Sequence, residues 1–111
     1  MPRTPKRLVN RATVSNAAAT KYTVPASTKT ILRHIHAQNS AGSASSVTLS
    51  IGSDAVGTRI YDAYTLTAVG TAGSILDHWG YYVVEAAEIV QAKGGTLNDV
   101  VLTISGDEYT L

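Results

Sequence analysis

The chain has no cysteine and no phenylalanine, a single tryptophan and only three prolines. Without thiols there is no disulfide framework, no thiolate metal site and no cysteine nucleophile. Charged residues are also scarce, at 15% against 44% hydrophobic. So little charge leaves the surface dependent on Ser, Thr and Asn for solubility, or covered by neighbours in an assembly. No apolar run approaches the roughly 20 residues of a membrane-spanning helix, so no membrane contact is expected. The start, Met1 to Arg7, is basic but has no hydrophobic stretch behind it, and no signal peptide is expected. At 111 residues there is room for one domain with a modest core.

Charge is unevenly distributed along the chain. Residues 1–53 carry Arg3, Lys6, Arg7, Arg11, Lys21, Lys29 and Arg33 and no carboxylate, a charge of +7. Residues 54–111 set Arg59 and Lys93 against eight acids, a charge of −6. Interleaving of the halves in a sandwich cancels part of this, but cations lying ahead of the first strand would seek an acidic partner elsewhere.

Residues 1–19 show neither a period of 2 nor one of 3.6 and read as an extended basic N-terminal arm. From residue 20 the texture is that of strands. Thr20 to Val24 is short and β-branched and ends at Pro25. In Thr28 to Gln38, strict alternation places Ile31, Arg33, Ile35 and Ala37 on one face and Leu32, His34, His36 and Gln38 on the other. Val47, Leu49 and Ile51 alternate with Thr48 and Ser50, as Val100, Leu102 and Ile104 do with Val101, Thr103 and Ser105. Further strands are read at 59–67, with a kink, and at 74–79, 81–84 and 88–92. Glu and Ala give residues 84–89 some helical character, in a stretch too short to carry a helix. About eight strands divided by Gly and Ser turns predict an all-β fold, a single antiparallel β-sandwich of jelly-roll type over residues 20–111. Ile31, Ile35, Val47, Leu49, Ile51, Val100, Leu102 and Ile104 are its expected core.

Several of these segments occur in an order that resembles small virion structural proteins of tailed phages. They are Tyr22-Thr23-Val24-Pro25-Ala26, a strand closing at Asn39, and Val47-Thr48-Leu49-Ser50-Ile51-Gly52. Trp79, Ala86-Ala87-Glu88-Ile89 and Asn98-Asp99-Val100-Val101-Leu102-Thr103-Ile104-Ser105-Gly106 follow. The resemblance spans roughly residues 20–107 and does not reach the arm. Ala87 stands where many relatives have glycine, which argues against a left-handed turn there. Such proteins are head-decoration, head-fibre or minor tail components. The resemblance implies a virion location after synthesis in the host cytoplasm, with major capsid or tail proteins and further copies of the chain as partners.

Candidate chemistry is sparse. His34 and His36, two apart on a strand, project from one face, a spacing compatible with a shared metal if His78, Asp77 or Gln38 supplied a third ligand. The plainer reading makes them residues of a sheet face at a subunit interface, and no metal or cofactor is expected. Asp77 and His78 are adjacent on a strand and point opposite ways, and no Ser lies in a Gly-x-Ser-x-Gly context, so no enzyme is expected. Gly94-Gly95 lacks the lysine and helix of a phosphate loop. Tyr61 and Tyr64 are the tyrosines best placed to anchor a protein contact, with carbohydrate binding by the aromatics as an alternative. Arg3, Lys6, Arg7 and Arg11 are expected to bind an acidic protein surface. Without interleaved aromatics to stack bases, nucleic acid is not expected as their partner.

Overall fold

The computed structural model describes residues 2–95 and 99–111. Eight strands follow one another: β1 Arg3–Val14, β2 Ala19–Thr23, β3 Thr28–Asn39, β4 Ser45–Ile51, β5 Arg59–Leu66, β6 Ile75–Val84, β7 Ile89–Gly94 and β8 Val100–Thr110. They build two antiparallel four-stranded sheets, in the orders β1-β8-β3-β6 and β2-β7-β4-β5. The chain thus crosses to the other sheet at every connection except that between β4 and β5, which are neighbours in one sheet, the path of an eight-stranded jelly roll. The sheets stack on Val14, Leu32, Ile35, Val47, Leu49, Leu66, Val90, Val100, Leu102 and Ile104, all fully buried. Among the described residues no helix is long and apolar enough to cross a membrane.

The sandwich is as expected, but its first strand is not. Residues 3–14 do not precede the body as an arm: they are β1, paired along their length with β8 from Arg3 opposite Tyr109 to Val14 opposite Val100. Val9 and Val14 enter the core. The reason the pattern hides this strand is its place at a sheet edge. Pro5 lacks an N–H, which an outer strand can spare, and exposed Lys6, Arg7 and Arg11 guard an open edge against adventitious pairing. Two register shifts, between Arg7 and Val9 and between Val9 and Ala12, erase the remaining alternation.

A second irregularity sits in β3. Its pairing shifts register between Leu32 and His34 against both neighbouring strands. The shift reverses the phase: Thr30 and Leu32 face inward before it, Ile35, Ala37 and Asn39 after it. Leu32 therefore belongs to the core cluster, whereas Ile31 is buried outside it. Ile51 is only half-buried against the core, and the other six expected core residues lie within it. The close approach of β8 at this bulge requires Gly106, since a Cβ there would lie 2.1 Å from the Ile31 carbonyl oxygen.

The acidic turn before β7 also departs from expectation. Ala87 has φ +67, so the left-handed residue is present without glycine. Its N–H donates to the Val24 carbonyl at 3.1 Å, and Val24 N–H donates to the Glu88 carbonyl at 2.9 Å, which pins the turn to the end of β2. The kink read within residues 59–67 is Ala63, φ +50, whose N–H donates to Thr48 Oγ1 at 2.9 Å. Asn98, the first residue of the last motif, lies outside the described residues.

Candidate interaction surface

Strand β6 closes one edge of its sheet, paired to β3 on one side and open on the other. Its even-numbered residues turn inward, Leu76 and Val84 being buried. The odd-numbered set faces solvent and is mostly apolar: Ile75 is 46% exposed, Trp79 72%, Tyr81 62% and Val83 40%. Four large apolar side chains in line on one exposed face are more than scattered surface hydrophobics, and they make this face the candidate interaction surface.

The neighbouring strand completes this face. Trp79 stacks on the His34 ring with centroids 3.9 Å apart and planes inclined at 12°. The Arg33 guanidinium lies 5.2 Å from the centre of the Tyr81 ring, within cation–π range, and donates to Asp107 Oδ2 at 3.0 Å. Cross-strand register sets Asp77 opposite His36. The Asp77 carboxylate accepts a hydrogen bond from His34 and lies 3.7 Å from His36 Nδ1. Chiefly that bond from His34 holds the Asp77 carboxyl below the usual carboxylate range.

Of the residues expected at an interface, His34 and His36 do share this surface, but Tyr61 and Tyr64 do not. Both tyrosines lie on β5, in the opposite sheet. The Tyr61 hydroxyl reaches back between the sheets to His78 Nδ1 at 2.8 Å, and burial pushes its pKa up. Tyr64 packs edge-on against Tyr61, with centroids 5.5 Å apart, and stays partly exposed. Tyr61 therefore links β5 to β6.

The four basic residues assigned to the arm are spaced along the other open edge of the same sheet, β1. Lys6 is taken up internally, 3.3 Å from Glu108 Oε1. Arg7 donates to Asn10 Oδ1 at 3.0 Å. Among the described residues Arg3, Arg7 and Arg11 form no ion pair, and all three are exposed. The sheet thus has two chemically different edges, one cationic and one aromatic.

Sequence reasoning overlooked the β6 stripe, although a signal was present. From Ile75 to Val84 both alternating sets are rich in apolar residues, the mark of a strand meant to be covered on both faces. Gly80 and the His and Asp beside Trp79 obscure it.

No family model matches the chain, and no curated protein matches its sequence. Solved structures do share its fold. One is a pilus subunit of Bacillus endospore appendages, a family of disulfide-linked pili. It is 18% identical with a TM-score of 0.56, over 98% of this chain and 88% of the other. Another is from the acid-stable capsid of Helicobacter pylori bacteriophage KHP30, 13% identical with a TM-score of 0.56, over 96% of this chain and 92% of the other. At these identities the likeness is one of fold.

Proposed function

We propose that the chain is a structural component of a tailed-phage virion, a capsid decoration or head-fibre subunit that docks through both edges of the β1-β8-β3-β6 sheet. The observation that carries this reading is the uncovered row of Ile75, Trp79, Tyr81 and Val83 on an edge strand. A row of that kind is stable in water only at a cost and is suited to burial against another protein. Two further facts support it: a jelly roll spanning nearly the whole chain, and likeness over almost full length to subunits of a pilus and of a phage capsid. The partners are capsid proteins and further copies of the chain. Arg3, Arg7 and Arg11 meet acidic surface there, while Lys6 remains with Glu108. The reading assigns the protein no catalytic step.

The test is binding to particles that lack the protein. Wild type should be retained and appear as regular density by electron microscopy. Trp79→Ser with Tyr81→Ser should lose retention while melting at the wild-type temperature, because neither side chain is in the core. Arg3→Gln with Arg7→Gln should be retained less at low salt and should respond less to rising salt, because the pairs that ions screen are already gone. Retention of all variants alike would overturn the reading. Density at the tail tip instead of the head would favour the minor tail role.

One observation favours a reading of another class. Trp79 and Tyr81 project two residues apart from one face, beside Asp77 and Arg33, a platform on which a sugar ring could stack. Saturable glycan binding abolished by Trp79→Ser, with no retention on particles, would select a carbohydrate-binding module.

A further inference from the structure

His34, His36 and Asp77 converge on the outer face of β3 and β6 for reasons of backbone geometry. The histidines are two apart on β3 and past its bulge, so both face outward. Asp77 sits directly across from His36 on β6. The three side chains can present one ligand atom each with all of these atoms within 4.8 Å of one another. A zinc ion with bonds of about 2.0–2.2 Å to nitrogen and oxygen holds tetrahedral ligands roughly 3.4 Å apart. The 3.7 Å between His36 Nδ1 and Asp77 Oδ1 is close to that edge.

We propose that His34 Nε2, His36 Nδ1 and an Asp77 carboxylate oxygen form a binding site for one divalent transition-metal ion, zinc, nickel or copper, with its remaining position open to water or to a donor from a neighbouring molecule. Two imidazoles and one carboxylate suit these metals, whereas calcium and magnesium need a cage of oxygens that this face does not offer. Trp79 acts as the supporting partner. By stacking on His34 it restrains the ring that must aim Nε2 at the ion, reducing the entropy lost on binding. The metal replaces the hydrogen bond between His34 and Asp77. The site stands apart from the assembly reading and survives or fails without it.

The single tryptophan makes the site directly observable, because Trp79 lies in ring contact with one ligand. Tag-free full-length protein titrated with nickel chloride in a non-chelating buffer should show saturable quenching of tryptophan fluorescence, reversed by zinc, with one zinc per chain by calorimetry. Asp77→Asn and His36→Gln should each weaken zinc binding by at least about 10-fold, a loss that even a supporting partner of a metal site can produce. In imidazole-detected NMR, zinc should shift His34 and His36 and leave His78 in place. Absence of saturable quenching, wild-type affinity in both variants, or shifts at His78 alone would overturn the site and leave His34 and Asp77 as a hydrogen-bonded pair. Asp77 is exposed, so its variant tests binding without testing the core.

Discussion

Gly106 and Ala87 show two opposite relations between a residue and its backbone. At Gly106 the side chain is forbidden by space: a Cβ would sit 2.1 Å from a carbonyl oxygen of the bulged strand, which is backbone and cannot swing aside. At Ala87 the side chain is present where φ +67 disfavours it. A left-handed residue with a Cβ costs about 1–2 kcal/mol, and glycine gives back about 0.4–1 kcal/mol of that through the greater freedom of the unfolded chain. Ala87→Gly should therefore stabilise by roughly 0.5–1 kcal/mol. Gly106→Ala should destabilise by about 3 kcal/mol or more. Urea denaturation of the two variants beside wild type checks both. A neutral Gly106→Ala would mean that β3 and β8 are less closely apposed than the bulge requires.

Strands differ in how plainly their surroundings can be read from their own residues. Strands β4 and β8 are central, each flanked by two others, and their alternating Val, Leu and Ile mark them without ambiguity. Strand β1 borders solvent, and the proline, cations and bulges that protect such an edge are the same features that suggest a loose terminus. The two readings make opposite predictions for a chain lacking residues 1–12. An arm could be removed without harm. A strand takes Val9 out of the core and leaves the β8 edge bare, so the deletion should cost about 3 kcal/mol or more in urea denaturation and promote self-association in sedimentation. Wild-type stability of the truncated chain would show β1 to be only loosely held.

At the scale of the molecule, part of the charge imbalance between the halves is settled within the fold. Lys6 meets Glu108, Lys29 meets Glu85, and Arg33 meets Asp107. In each pair the cation comes from the first half and the acid from the second. The densest contact gathers around Asp54, which accepts from Arg59 Nε at 2.9 Å and from Ser50 Oγ at 3.0 Å, with Lys93 Nζ 3.0 Å away. These three link the loop after β4 to β5, β4 and β7. Arg59 above all, then Lys93, holds the Asp54 carboxyl far below its ordinary range. A carboxyl depressed on folding stabilises the protein at pH above its unfolded value, near 3.9, and that stabilisation is lost as the pH falls through the folded value. Asp54→Asn should consequently melt below wild type at pH 7, with the gap closing as the pH drops below about 4. A gap that is constant from pH 7 to pH 2 would show that the ionised carboxylate is not what the loop depends on.

The residues alone determined the class of fold and most of the core, because alternation with a period of two is a local property that a half-buried strand cannot avoid displaying. They also placed His34 and His36 on one face, for the same reason. Tertiary structure decided three things that no local pattern holds. It assigned residues 3–14 to the sheet, through pairing with β8 from the far end of the chain. It shifted the phase of β3 at a bulge, which exchanged Ile31 for Leu32 in the core cluster. It also brought Asp77 to the two histidines and turned Tyr61 inward. Which strands become neighbours depends on the return of the chain between two sheets, and only that return sets the acid of one strand opposite the histidine of another.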